Sequence, residues 1–199
     1  ENLVDIEINI KENQTGTFTA GASFGTLDGV TLVTGLNESN IGGTGRAVEF
    51  MFNNSENNSE YKFSTKDKFF INKDMDLSFG LIYKESDYSK SSSYQLDRFK
   101  FSTGLSYKFQ ENLYHSVKLN YELDDIFVTD SSTVSSTISD VQGGSTKFVL
   151  DNGISYVTLN STIFPRNGNL LKFSNIIETP SSSKNGYIKN TLTFKKYKE

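Results

Sequence analysis

From Gly16 to Gly25 the chain alternates Phe18, Ala20, Ala22 and Phe24 with Thr17, Thr19, Gly21 and Ser23, and a period of two returns in nearly every segment between polar clusters. Strand side chains point alternately to two faces, so this period predicts strands that are apolar on one face only. Val30, Leu32 and Leu36 mark a second strand, Val48, Phe50 and Phe52 a third, Tyr61 and Phe63 a fourth, and Leu77, Phe79, Leu81 and Tyr83 a fifth. Phe99, Phe101, Thr103, Leu105, Tyr107 and Phe109 predict a sixth, followed by Val117, Leu119, Tyr121 and Leu123 in a seventh. Phe148, Leu150, Ile154 and Tyr156 open an eighth, Leu171, Phe173 and Ile177 a ninth, and Ile188, Leu192 and Phe194 a tenth. The expected topology is an antiparallel meander.

The connections have a rhythm of their own. Short turns near 37–45, 69–76, 110–112 and 158–169 alternate with polar, Ser/Asn-rich loops near 53–60, 85–95, 124–146 and 179–186, and only the short 26–29 connection breaks the pattern. A transmembrane β-barrel alternates short turns with long loops in this way, and tilted strands of about 9–11 residues suffice to cross a bilayer. A soluble β-sandwich also alternates. The loop rhythm and the strand length favour the membrane barrel.

Composition narrows the chemistry. Hydrophobic residues make up 35% of the chain and no apolar run approaches a spanning helix, which excludes membrane helices and nothing more. A net charge of −4 gives no global basic field for nucleic acid. There is no cysteine and one histidine, so disulfides, thiolate chemistry, zinc ribbons and the usual catalytic triads are not expected; nor is an enzyme, a cofactor or a metal site. Glu1–Lys11 has no basic segment followed by an apolar one, so the chain reads as mature, cytosolic or internal to something longer.

Several motifs have plain explanations. Ile41-Gly42-Gly43-Thr44-Gly45 would need a following helix to cradle a dinucleotide, whereas Ala47–Asn53 alternates, so a tight turn is expected. His115 is expected to be structural or solvent-facing. Asp124 and Asp125, as neighbours on a strand, point to opposite faces and are expected to solvate the start of a loop. The sequons at Asn13, Asn37 and Asn160 carry little weight, and Lys195, Lys196 and Lys198 read as a solvated strand end.

The ordered combination of these elements resembles BamA-type outer-membrane assembly proteins of the bacterial surface antigen superfamily. Val4-Asp5-Ile6-Glu7-Ile8-Asn9-Ile10-Lys11-Glu12 is similar to the last strand of that family's final POTRA domain, and Thr15-Gly16-Thr17-Phe18 with Gly21, Phe24 and Gly25 to its first barrel strand. Asn40–Gly45 resembles its second turn, with Gly42, Gly43 and Gly45, and Phe164-Pro165-Arg166-Asn167-Gly168 its recurrent FP-x-x-G turn. The resemblance implies a POTRA strand over 1–13 and, over 14–199, about ten strands of an all-β, up-and-down transmembrane barrel, a fragment of the whole.

It also implies a function without covalent chemistry, in which other barrels are folded and inserted at a lateral gate in the outer membrane of a Gram-negative bacterium. Thr17, Phe18, Thr19, Ala20, Gly21, Ala22, Ser23, Phe24 and Gly25 would form the gate strand, templating an incoming strand by β-augmentation. Unfolded outer-membrane proteins, accessory lipoproteins and outer-membrane lipid would be the partners. A passive channel and a polypeptide translocator of the same superfamily are the competing readings; a soluble adhesin and an outer-membrane hydrolase are weaker ones.

Overall fold

The computed structural model describes residues 7, 11, 13–26, 28–68, 70–71, 75–180 and 185–199, so the POTRA strand expected over 1–13 lies largely outside the described residues. Ten strands follow one another: β1 (Gly16–Gly25), β2 (Gly29–Glu38), β3 (Arg46–Asn54), β4 (Asn58–Lys68), β5 (Met75–Asp87), β6 (Tyr94–Gln110), β7 (Leu113–Val128), β8 (Gly143–Val157), β9 (Gly168–Glu178) and β10 (Tyr187–Tyr197). They form one sheet in chain order, each strand antiparallel to the next. The expected all-β, up-and-down architecture is the one found, and the sheet is open, with β1 at one edge and β10 at the other.

Register carries the alternation across the whole sheet. Phe18, Leu36, Phe50, Phe63, Leu81, Phe101, Tyr121 and Phe148 pair in succession, one from each of β1 to β8. Neighbouring strands lie about 4.8 Å apart, so this row is a continuous apolar belt. Cross-strand aromatic contacts, Phe52 with Tyr61 at 4.7 Å and Tyr121 with Phe148 at 5.0 Å, tighten it. The belt is also bare: Phe18 is 67% exposed and Phe148 56%.

Burial lies on the opposite face and is mostly polar. Ser86, Asn120, Glu122, Asp124, Ile126, Ser145 and Val149 are all buried, and register puts them on the face away from the belt. A single-layered sheet buries side chains only on the side toward which it curls, so this face is the concave one. Small residues allow the curl. Ser78 opposes Gly104, Gly80 opposes Ser102 and Ser116 opposes Gly153, and in each pair the space that a glycine Cβ would fill is taken by the serine hydroxyl. An apolar outside around a polar inside is the inversion that a lipid-embedded barrel requires.

The strands run further than polar composition suggests. The expected loop at 53–60 shrinks to 55–57, and the insert expected over 124–146 shrinks to 129–142. The reason is that Asn53, Glu60, Asp124 and Ser145 sit on the inner face, where polar side chains belong to the strand. The 26–28, 55–57, 88–93, 129–142 and 179–186 connections share one end of the sheet, and the 39–45, 69–74, 111–112 and 158–167 turns share the other. At 111–112 a two-residue connection is closed by Asn112 with φ 65°, a left-handed conformation that asparagine tolerates better than most residues.

Candidate functional site

All of the expected gate residues, Thr17 to Gly25, fall in β1, and every β1 residue is exposed. β1 pairs with β2 in unbroken register from Gly16↔Glu38 to Gly25↔Gly29. The Ser39 amide donates to the Thr15 carbonyl at 3.3 Å, which makes Thr15 and Ser39 a hydrogen-bonded pair. Antiparallel pairs alternate between bonded and non-bonded, so Thr17, Thr19, Gly21, Ser23 and Gly25 bond to β2. Gly16, Phe18, Ala20, Ala22 and Phe24 therefore turn their N–H and C=O groups to the open side. The residues with free backbone groups are, glycine apart, the ones whose side chains lie on the apolar face.

Side chains support this edge weakly. On the inner face β1 sets Thr19 opposite Gly35, Gly21 opposite Val33 and Gly25 opposite Gly29, pairs with little or no side-chain contact to offer. Between β6, β7 and β8 the same face is knitted by charge. Arg98 donates to both Asp124 oxygens at 2.6 and 2.9 Å, Lys100 meets Glu122 at 2.7 Å, and Lys147 reaches Glu122 at 3.1 Å and Asp124 at 3.7 Å. The sheet is thus firm at β6–β8 and light at β1.

The two turn motifs are turns. Gly42, Gly43 and Gly45 all have positive φ, and Asn40 closes the loop by accepting from the Gly45 amide at 2.6 Å. In the second motif Asn160 accepts from the amides of Arg166 and Asn167 at 3.0 and 3.1 Å, while Phe164 is 79% exposed at the tip beside Pro165. Gly168 has φ 110°, and a Cβ there would lie 2.2 Å from the Thr158 carbonyl oxygen. Only glycine fits.

Asp124 does not solvate the start of a loop; it is buried within β7 against Arg98, while Asp125 faces the other side, as neighbours on a strand must. His115 is structural: its Nδ1 lies 2.8 Å from the Tyr107 hydroxyl and its Nε2 2.7 Å from Asn152 Oδ1. Asn175 donates to Asn190 at 2.6 Å on the same outer face, and such pairing limits the penalty for amides among apolar neighbours. Asn37 lies in β2 and Asn160 is spent on its turn. Among the described residues no group of three His, Asp or Glu side chains is placed to hold a metal ion.

Comparison with known proteins agrees with this architecture. The structure is similar to that of BamA from Haemophilus ducreyi lacking POTRA domains 1–3, with a TM-score of 0.66 and 21% identity, over 92% of this chain and 37% of that one. The chain therefore spans little more than a third of that protein's length, and a likeness at this identity speaks for the fold. The Omp85 superfamily domain matches residues 40–199, from the Asn40 turn through β10, which is most of the sequence. On that match, and with a ten-stranded apolar-faced meander to carry it, the chain belongs to the Omp85 superfamily.

Proposed function

We propose that this chain forms part of a bacterial outer-membrane barrel that folds and inserts other β-barrel proteins, with β1 as the templating strand. The observation that carries the reading is the β1 edge. Five alternate backbone positions, Gly16 to Phe24, face away from β2 on a strand that small residues hold lightly to its neighbour. An incoming strand adds there by main-chain hydrogen bonding, and no covalent step is needed. Membership of the superfamily supports placement in the outer membrane of a Gram-negative cell, with unfolded outer-membrane proteins as substrates and accessory lipoproteins and lipid as partners. A POTRA strand at 1–13 belongs to the same reading.

The test is disulfide crosslinking during assembly, with single cysteines at Thr19 to Ser23 of the full-length protein and in the terminal strand of a substrate barrel. Crosslinks that form in register and disappear once the substrate is released support templating. Their persistent absence overturns it.

A further inference from the structure

We propose that the inner face, on its half nearer the 39–45, 69–74, 111–112 and 158–167 turns, is a docking groove for an acidic, extended polypeptide segment. Inward-facing cations outnumber acids on this half of the barrel wall. Nearer the opposite end, Lys62, Arg98, Lys100 and Lys147 each meet a carboxylate on the same face, and only Lys84 and Lys189 there form no ion pair within 4 Å among the described residues. On the turn half, Lys68, Lys108, Lys118, Lys172 and Lys195 point inward by register and form no ion pair within 4 Å among the described residues, although Lys68 lies opposite Asp76 and Lys118 opposite Asp151. Three acids share this half: Asp76 holds Lys66 at 2.7 Å, Glu49 holds Lys62 at 3.1 Å, and Asp151 lies opposite Lys118 and accepts from Asn120 at 3.3 Å, so positive charge remains in excess. A chain of net charge −4 thus carries a cationic patch on its concave side.

The patch has the shape of a channel for a backbone. One trough of about 470 Å³ runs past Lys118, Lys66 and the Lys62–Glu49 pair, and a second of about 400 Å³ past Lys118, Asp151 and Lys172; Ser78 and Lys118 line both, so the two are continuous from β4 to β9. Six strands at about 4.8 Å spacing give roughly 24 Å, the length of about seven residues of extended chain. The floor is low and polar, made by the Ser78/Gly104 and Ser116/Gly153 pairs. A lipid would need an apolar trench for its tails, and the apolar surface lies on the other side of the sheet. A phosphate would be held by converging donors, whereas these ammonium groups are spread out singly and match carboxylates distributed along a peptide.

That such a segment comes from a passenger protein rests on the assembly reading, but its docking is measured without any insertion step. The full-length protein in detergent is titrated with a dye-labelled twelve-residue peptide of alternating Asp and Ser, and with the same peptide carrying Lys for Asp, read by fluorescence anisotropy. The acidic peptide is expected to bind, more weakly as salt rises, and to lose about tenfold or more in affinity in the triple variant Lys108→Glu, Lys118→Glu, Lys172→Glu. The matching Lys→Arg set should retain binding and the Lys→Gln set should weaken it, each checked for heat-modifiable mobility. If the charge-reversed protein does not fold, the glutamine set decides. Equal binding of the two peptides, or indifference to both lysine replacements, overturns the groove. Full competition by short-chain phosphatidylglycerol overturns the polypeptide in favour of lipid. Failed crosslinking at β1 with intact peptide binding would sink templating and leave the groove standing.

Discussion

Arg98 and Asp124 face one another across the β6–β7 ladder, and the guanidinium grips both carboxylate oxygens, at 2.6 Å from Nε and 2.9 Å from Nη2. Asp124 is 4% exposed, so its charge depends on that grip and on Lys147 at 3.7 Å. Arg98→Ala should destabilise the barrel by about 1–3 kcal/mol, below the figure for a fully buried pair because the guanidinium is 37% exposed. The midpoint of the heat-induced mobility shift reads this. Arg98→Leu combined with Asp124→Leu should recover much of the loss, since no stranded charge remains.

The free edge makes a sharper distinction between adjacent residues. Ala20 turns its amide outward and Thr19 bonds to β2, by the alternation that starts at Thr15 and Ser39. Ala20→Pro should therefore leave the thermal midpoint nearly unchanged and suppress crosslinking to an incoming strand. Thr19→Pro should instead loosen the β1–β2 hairpin, seen as faster amide exchange in β2.

The two faces predict opposite tolerance to charge. Leu81→Arg, in the middle of the outer belt, should cost about 2–4 kcal/mol in lipid, and Ser106→Arg, on the hydrated inner face, about zero. Denaturant unfolding from lipid vesicles measures both. Equal penalties would mean that the faces are assigned wrongly.

At the FP-x-x-G turn, Gly168→Ala meets both a positive φ and a carbonyl oxygen 2.2 Å from the new Cβ. A loss of about 2 kcal/mol or more is expected in the same unfolding assay, against nearly none for Gly144→Ala, where the Cβ meets open space.

Asp130 titrates in the 129–142 connection, where the Ser132 hydroxyl at 2.6 Å, then the Ser132 amide at 2.8 Å, hold its carboxyl below the usual range. A lowered native pKa stabilises the loop at pH above the unfolded value, and that contribution fades as pH falls through the native one. Protease cleavage within 129–142 should rise in acid, and Asp130→Asn should flatten the dependence.

Strand identity was legible because lipid and lumen impose opposite polarity on successive residues, and all ten strands follow from that period. Strand ends were not. Asn53, Glu60, Asp124 and Ser145 have the composition of a loop, and only register shows that they line an interior. The Arg98–Asp124 pair spans 26 residues, a separation that local pattern does not reach. The inner lysines could have been noticed, since Lys108, Lys118 and Lys172 all occupy the polar phase of their strands, but that they outnumber the acids on one half of the face is a property of the assembled sheet. The β1 segment was legible as a small-residue strand. Which of its amides face outward followed only from the Thr15–Ser39 bond.

Strand length makes the mouth of the barrel lopsided. β6 has 17 residues and β1 has 10, so at a tilt near 45° they reach heights of about 40 Å and 23 Å, against an apolar band of about 25 Å. Register rows slant so that the surplus rises at the end carrying the 129–142 connection. One flank stands as a parapet over the bilayer while the β1 flank is a low sill nearly level with it. On the templating proposal, an incoming strand would join the sheet at its lowest flank, where the least of it stands clear of the apolar band.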